Sequence, residues 1–201
     1  MRNAPLLRQA ALTLLICLGV AHAGEARAQS QPAARPAEAA QGERYRQLQS
    51  MIQQGRAEDA LAEADKLIAA RPRDAQARFI KGVALNSLKR PDAAAEIFVA
   101  LTEEYPELPE PYNNLAVIYA QQRQYEKARV ALEAAIRNQP DYPIALENLG
   151  DVHASLAAEA YAKAQSLDAA NTGVRRKLTL AREIAAGPGQ AAGASTPAAR
   201  P

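Results

Sequence analysis

The chain has 201 residues, of which 48% are apolar, and this length and composition fit one domain of ordinary size. Alanine supplies 48 positions, against seven Tyr, two Phe and no Trp. Small side chains suit closely packed helices, whereas β-sandwiches and barrels are rich in Val, Ile, Thr and aromatic residues, so the composition predicts an all-α protein. Lys plus Arg number 24 and Asp plus Glu 22, a balance that disfavours binding to nucleic acid or to an anionic membrane surface.

Cysteine and histidine are scarce in this chain. One Cys and two His are too few for a Cys/His metal cluster, a disulfide framework or most nucleophilic triads. The sequence therefore predicts neither a metal site nor a bound cofactor.

The first 28 residues have the pattern of an export signal. Two arginines precede an apolar run, which is followed by two small-x-small motifs that end at Ala23 and Ala28. A membrane anchor is the alternative, but residues 9–23 would span only about 22 Å as a helix, against a hydrocarbon core of roughly 30 Å. We expect a signal peptide over residues 1–28, cut after Ala23 or Ala28, and a periplasmic or secreted protein.

Two segments that flank the centre of the chain are predicted to be disordered. Residues 29–40 contain two prolines and no large apolar side chain, which is typical of a linker. The tail, residues 187–201, begins with Gly-Pro-Gly and continues in small residues. Folding is therefore expected over residues 41–186.

The central region repeats itself every 34 residues. Pro72, Pro106 and Pro140 stand at this interval, which is typical of a helical repeat array. The resulting copies span residues 41–74, 75–108 and 109–142. The third copy is the most regular, and its characteristic residues are Tyr112, Leu115, Ala116, Tyr119, Ala128, Leu132, Ala135 and Pro140, at repeat positions 4, 7, 8, 11, 20, 24, 27 and 32.

This pattern closely resembles the tetratricopeptide repeat (TPR). The resemblance implies an all-α, right-handed α-solenoid of helix-turn-helix units with a C-terminal capping helix. Small residues at positions 8 and 20 would let the two helices of a unit approach closely, while larger residues around them fill the remaining space.

The fourth copy, residues 143–171, is degenerate. Its later matches come five residues too early, and no Gly, Pro, Asn or Asp lies between Asp151 and Asp168. The pattern favours one long helix from Pro143 to Ala169, and a hairpin with a shortened first helix is the alternative. Residues 172–186 are predicted to form the capping helix.

A long helix has further consequences for the end of the array. The groove would stop near Ser155, and Gly150 would be a close-contact site within the helix. The capping helix would pack on the second half of the long helix through Leu156, Ala160, Ala164 and Leu167.

The resemblance also implies a concave groove lined by the first helix of each unit. Family members that clamp a C-terminal carboxylate use Lys and Asn at positions 5 and 9, which this chain lacks. Asn114 and Asn148 both hold position 6 and resemble an asparagine ladder that grips a peptide main chain, although Asn is also simply common there. The predicted groove residues are Phe79, Val83, Asn86, Asn113, Asn114, Val117, Gln121, Glu147, Asn148 and Asp151.

A catalytic site is not expected. After loss of the signal, His153 is the one histidine left, and its repeat position predicts a packed or half-buried structural residue. There is no Gly-rich phosphate loop and no G-x-S-x-G elbow.

The sequence thus predicts a non-catalytic scaffold of the bacterial cell envelope that binds an extended peptide or a partner protein. Nucleic acid and an integral membrane segment after signal cleavage are not expected. The alternatives are a self-associating envelope assembly or division factor, or an accessory module of an envelope enzyme.

Overall fold

The computed structural model describes residues 36–186. The expected signal peptide, the tail and residues 29–35 of the expected linker lie outside the described residues. The described part is all-helical, as predicted, and its secondary structure consists of eight α-helices. They are α1 Pro36–Gln53, α2 Ala57–Ala70, α3 Ala75–Ser87, α4 Pro91–Glu104, α5 Pro109–Gln121, α6 Tyr125–Asn138, α7 Pro143–Leu167 and α8 Thr172–Ala186.

Helix α1 begins earlier than the sequence pattern predicted. The sequence predicts a disordered linker up to residue 40, but residues 36–40 form the first turns of α1. Proline is well tolerated in the first turn of a helix, and the Ala-Glu-Ala-Ala that follows has high helix propensity. Helix propensity therefore prevails here over the lack of large apolar side chains.

The described residues fall into two compact units, which divide within α4 at residues 94 and 95. In the first unit, residues 36–94, α1 packs on α2 and α3, and α2 packs on α3. The buried residues at the centre of these three helices are Leu48, Ala64, Leu67, Ala77 and Ile80.

In the second unit, residues 95–186, each helix from α5 onward packs on the next. Alanine dominates the core, which explains how helices with so few aromatic residues can pack closely. The core residues are Ala116, Val117, Ala120, Tyr125, Ala128, Ala131, Leu132, Ala135, Ala145 and Val152.

The turns between the two helices of a repeat have the same backbone structure. Gly55, Lys89 and Arg123 follow one another at 34-residue spacing, and all three have a positive φ, of 79°, 61° and 61°. At each, the next residue donates its N–H to a carbonyl five residues earlier, as Gln124 does to Tyr119 at 2.8 Å. This is the Schellman closure of a helix C-terminus, in which glycine is favoured at the left-handed position.

Helix α7 has no such turn. It is one continuous helix of 25 residues, as the long-helix interpretation predicted, although it ends two residues earlier, at Leu167. At the end of the second helix of each repeat, one backbone N–H donates to the carbonyl oxygen four residues earlier. The donors are Arg71, Tyr105, Gln139 and Asp168. The first three stand 34 residues apart, but only 29 residues separate Gln139 from Asp168, which places the five-residue deletion within α7.

Helix α8 packs on α7, so the predicted docking of the final helix is confirmed. Leu178 and Ala181 of α8 are buried in this contact. The prediction for the facing residues is partly wrong, because Ala160 and Leu167 are exposed. None of the helices in residues 36–186 has the combination of length and apolarity that a membrane span requires.

Candidate functional site

The predicted groove residues lie on the first helices of their repeats, and they differ widely in solvent exposure. On α3, Phe79 and Asn86 are buried and Val83 is half-buried. These three residues belong to the first compact unit and the remaining seven to the second.

In the second unit, α5 and α7 contact each other directly, and the groove residues fall into two layers. Asn113, Val117 and Asn148 are buried, with side chains that face the helix contact. The half-buried or exposed layer consists of Asn114, Gln121, Glu147 and Asp151. The predicted groove residues that a partner can reach on these two helices are therefore polar.

A hydrogen bond joins the two buried asparagines. Asn148 donates from Nδ2 to Oδ1 of Asn113 at 2.9 Å, and both residues are fully buried, at 0% exposure. Nδ2 of Asn113 and Oδ1 of Asn148 have no hydrogen-bond partner among the described residues. A buried polar atom without a hydrogen bond lowers the stability of the folded state by about 1–3 kcal/mol. The pair therefore has one donor and one acceptor that are still available for a hydrogen bond.

The asparagine ladder predicted from the sequence, Asn114 with Asn148, would bind the main chain of a peptide, and it stays a prediction. Asn114 donates from Nδ2 to the carbonyl oxygen of Glu110 in its own helix, at 2.9 Å. The sequence pattern did not predict that Asn148 would hydrogen-bond instead with Asn113, at position 5 of α5. The signal that could have revealed this was the presence of two adjacent asparagines, at positions 5 and 6.

A second polar cluster, which the sequence analysis missed, lies around Asp74 in the first unit. Asp74 Oδ1 accepts a hydrogen bond from the N–H of Ala77 at 3.0 Å and so caps α3. Its Oδ2 accepts from the hydroxyl of Tyr45 at 2.5 Å and lies 3.2 Å from a guanidinium nitrogen of Arg71. Gln41 hydrogen-bonds with both Tyr45 and Arg71.

The Asp74 cluster borders an open cleft of about 700 Å³ that is lined by Gln41 and the loop residues 71–74. Burial, followed by the hydrogen bond to Asp74, raises the pKa of the Tyr45 hydroxyl. The hydroxyl thus remains a donor to the carboxylate, and the cluster fastens α1 to the turn that precedes α3.

Tyr142 precedes α7 and packs against the core of the second unit. Burial raises its pKa to about 12, with a smaller contribution from the negative charge of Glu110. Its hydroxyl therefore stays protonated at physiological pH, and Tyr142 acts as a neutral packing residue.

His153 is exposed on α7, so the prediction of a packed or half-buried structural residue is wrong. In a complete repeat, the second helix covers position 11 of the first. The fourth repeat has no separate second helix, which explains the exposure of His153. Among residues 36–186, no group of three or more His, Cys, Asp or Glu side chains is placed to hold a metal ion.

The comparisons with known proteins agree with this architecture. Two models of the tetratricopeptide repeat match residues 45–109 and 85–156, which together span more than half of the chain. No curated protein matches it.

Solved structures of the same fold include the first TPR domain of the human RPAP3 protein, determined by NMR. It is 16% identical, with a TM-score of 0.54, and the match covers 57% of this chain and 91% of that domain. The crystal structure of MamA is 22% identical with a TM-score of 0.50, over 67% of this chain and 81% of that one. At these identities the likeness shows the fold. The chain belongs to the tetratricopeptide repeat family, whose helix pairs are protein–protein interaction modules and are usually non-catalytic.

Proposed function

We propose that the chain is a non-catalytic scaffold of the bacterial cell envelope, which binds an extended segment of a partner protein along the first helices of its repeats. The envelope location rests on the composition of residues 1–28, with their arginines, apolar run and small-x-small motifs. The binding mode rests on the contact between α5 and α7.

The single observation that carries the binding mode is the donor and the acceptor that remain available in the Asn113–Asn148 pair. An extended peptide presents carbonyl oxygens and N–H groups alternately along its main chain. An amide side chain can satisfy both kinds of group, whatever the peptide's side chains are. Asn113 would donate to a partner carbonyl and Asn148 would accept from a partner N–H.

Both amides are buried in the free protein, so binding requires their side chains to turn toward the groove. This rotation breaks the 2.9 Å hydrogen bond between the two amides. The loss is offset because the partner's main chain supplies hydrogen bonds to two atoms that have none in the free protein. The polar layer of Asn114, Gln121 and Asp151 around the pair provides further hydrogen-bonding groups at the surface. A partner held in this way is selected chiefly by its extended conformation.

Site-specific photo-crosslinking tests the binding surface. A photoreactive amino acid placed at Asn114 or Gln121 should crosslink a partner in intact cells. The matched control is Val130 on α6, which is 53% exposed and lies on a second helix. The proposal requires crosslinks from α5 that are absent at Val130 and that weaken in the double variant Asn113→Ala/Asn148→Ala. Equal crosslinking from both helices would contradict it.

Cell fractionation tests the location separately. The full chain should appear in the periplasmic or secreted fraction with a shortened N-terminus, cut after Ala23 or Ala28. A chain that lacks residues 1–28 should remain in the cytoplasm. If the intact chain is also cytoplasmic, the envelope part of the proposal is wrong, while the binding surface can still be correct.

A further inference from the structure

The two helices that carry the proposed groove in the second unit differ in charge from the helices beside them. Helix α6 has three basic and two acidic residues, and α8 has four basic residues and one acidic residue. Helices α5 and α7 together have a single basic residue, Lys163, and four carboxylates. Negative charge is therefore concentrated on the groove helices. The carboxylates are Glu110, Glu147, Asp151 and Glu159.

Two of these carboxylates are groove residues on α7. Glu147 is exposed and Asp151 is half-buried, and they stand four residues apart. This spacing places two side chains on one face of a helix, with Cβ atoms about 5–6 Å apart, and like charges there weaken the helix. Both lie beyond the first turn of α7, where the helix dipole would favour a carboxylate. Helix stability therefore does not explain this pair.

The carboxylate of Glu110 extends the negative charge toward the start of α7. Burial, followed by the charge of Glu110, raises the pKa of Tyr142, the residue that directly precedes α7. Glu110 is half-buried on α5 and thus lies within electrostatic range of the first turn of α7. Carboxylates of both helices contribute to the potential of the groove.

The positive charges on and next to these helices lie further along α7. Lys163 comes about 18 Å of helical rise after Asp151, more than twice the Debye length of about 8 Å at physiological ionic strength. Arg123, in the turn after α5, lies 3.5 Å from the carboxylate of Glu159 and offsets the charge there. The charges of α5 and α7 therefore give the groove a negative potential at Glu147 and Asp151.

A second, independent observation places a ligand at the same point. Asn148 follows Glu147 directly, and both Asn148 and Asn113 are fully buried. Nδ2 of Asn113 and Oδ1 of Asn148 have no hydrogen bond among the described residues. A carboxylate cannot donate to Oδ1, so the acidic neighbours leave that acceptor unsatisfied. A peptide main chain supplies the missing donor and acceptor.

We propose that the segment bound in this groove is basic: an extended stretch of another protein with at least one Lys or Arg side chain held between Glu147 and Asp151. The inference rests on the groove proposed above and specifies the chemistry of its partner. The amide pair binds the main chain, and the two carboxylates bind the neighbouring cationic side chain. A cation at this point also removes the repulsion between the carboxylates.

The spacing along α7 suits this division of roles. Glu147 and Asp151 lie about 1.5 and 4.5 Å from Asn148 along the helix axis. A Lys or Arg side chain has a stem of three or four methylene groups, so a basic residue beside the main-chain contact can reach both carboxylates. Charge-assisted hydrogen bonds of this kind are shorter and stronger than those between neutral groups.

Charge thus adds a second criterion to the extended conformation of the partner. An acidic segment meets like charge at Glu147 and Asp151, as do the phosphates of a nucleic acid. A neutral segment can use the amide pair and gains nothing from the carboxylates. The groove therefore discriminates by charge as well as by conformation.

A selection from random displayed peptides of about twelve residues tests the charge preference. Peptides retained by the immobilised full chain should contain at least about twice the Lys plus Arg of the starting pool and less Glu plus Asp. A parallel selection on Asn113→Ala/Asn148→Ala shows which peptides depend on the amide pair. The peptides that this variant does not retain are synthesised for affinity measurements.

Neutralisation of the carboxylates tests the residues. Glu147→Gln/Asp151→Asn removes both charges with little change in shape and should bind the selected peptides about three- to tenfold more weakly in fluorescence anisotropy. Added salt should weaken binding to the unmodified chain more than binding to this variant. The matched control, Glu126→Gln/Glu133→Gln on α6, removes as many carboxylates outside the groove and should bind like the unmodified chain. Circular dichroism checks that all variants remain helical.

The outcomes separate this inference from the groove itself. Peptides that depend on Asn113 and Asn148 but show no excess of Lys and Arg overturn the inference and leave the groove proposal standing. An unchanged affinity in Glu147→Gln/Asp151→Asn has the same meaning, as does an equal loss in the α6 control. If the full chain retains no peptide, the groove proposal is wrong, and this inference is wrong with it.

Discussion

Asn148 and Asn113 stand 35 residues apart in the chain, yet their side-chain amides form a fully buried hydrogen bond of 2.9 Å between α7 and α5. Removal of one partner leaves the other amide buried with no hydrogen bond. Asn148→Ala should therefore lower the free energy of unfolding by about 1–3 kcal/mol, measured by urea denaturation. Replacement of both residues by Leu should cost less than the single change, because no unpaired polar group remains.

Asn114→Ala serves as the control for this pair. Asn114 is half-buried and bonds only to its own helix, so its loss should change the stability by less than about 0.5 kcal/mol. If Asn114→Ala and Asn148→Ala have equal effects, the buried pair is not a special contact.

The left-handed turn residues give a second prediction. Lys89 and Arg123 adopt a φ of 61°, which costs free energy for a residue with a Cβ, whereas Gly55 holds the equivalent turn without that cost. Lys89→Gly or Arg123→Gly should raise the free energy of unfolding by up to about 1 kcal/mol. Gly55→Ala should lower it by a similar amount. Chemical denaturation of the three variants measures both signs, and a destabilised Lys89→Gly would contradict the assignment.

Gly150 gives a third prediction, in which replacement of a glycine by alanine is stabilising. It lies within α7 with an ordinary helical backbone and with open space where a Cβ would be, so the predicted close contact at Gly150 is absent within the described residues. Gly150→Ala should therefore stabilise the folded chain by roughly 0.5–1 kcal/mol, because alanine has the higher helix propensity. Ala128→Gly, in the packed core of the second compact unit, should be destabilising. Urea denaturation measures both changes, and a destabilising Gly150→Ala would show that a contact exists there.

Tyr142 makes the stability depend on alkaline pH. Its pKa is about 12 in the folded chain, against 10.0 for an unperturbed tyrosine in the unfolded chain. Below pH 10 the hydroxyl is protonated in both states, and its contribution to stability is complete. Between pH 10 and 12 the unfolded state loses its proton first, so stability falls as the pH rises.

Tyr142→Phe should remove roughly 1–2 kcal/mol of that alkaline loss, after allowance for partial solvent access. At pH 7 the variant should have nearly the melting temperature of the unmodified chain. Melting curves recorded from pH 8 to 11.5 test both expectations. Parallel loss of stability in the two proteins would show that Tyr142 does not titrate differently in the folded state.

Local patterns in the sequence predicted the repeat and its interruption. Ala128 and Leu132 hold positions whose neighbours are set by the repeat itself, and both are fully buried. The five-residue shift was visible because a turn needs Gly, Pro, Asn or Asp, and the segment between Asp151 and Asp168 contains none. Such features depend on residues close together in the chain.

The candidate site was less predictable, because it depends on side-chain direction between distant helices. The repeat positions assigned both Asn113 and Asn114 to the groove, and they did not reveal that Asn113 is the one that hydrogen-bonds with α7. The contact of Tyr45 with Asp74 was missed for the same reason. Likewise, the exposure of His153 follows from a helix that is absent, which no property of the histidine itself indicates.

The missing turn in α7 also changes which helices form the last pair of the array. In a complete repeat the second helix folds back onto the first, whereas α7 continues as one helix and packs on α8. The last helix pair is therefore formed by α7 and α8, without a complete fourth repeat. Insertion of a Schellman turn after Ser155 would restore the missing turn, and the chain would then complete its fourth repeat by itself.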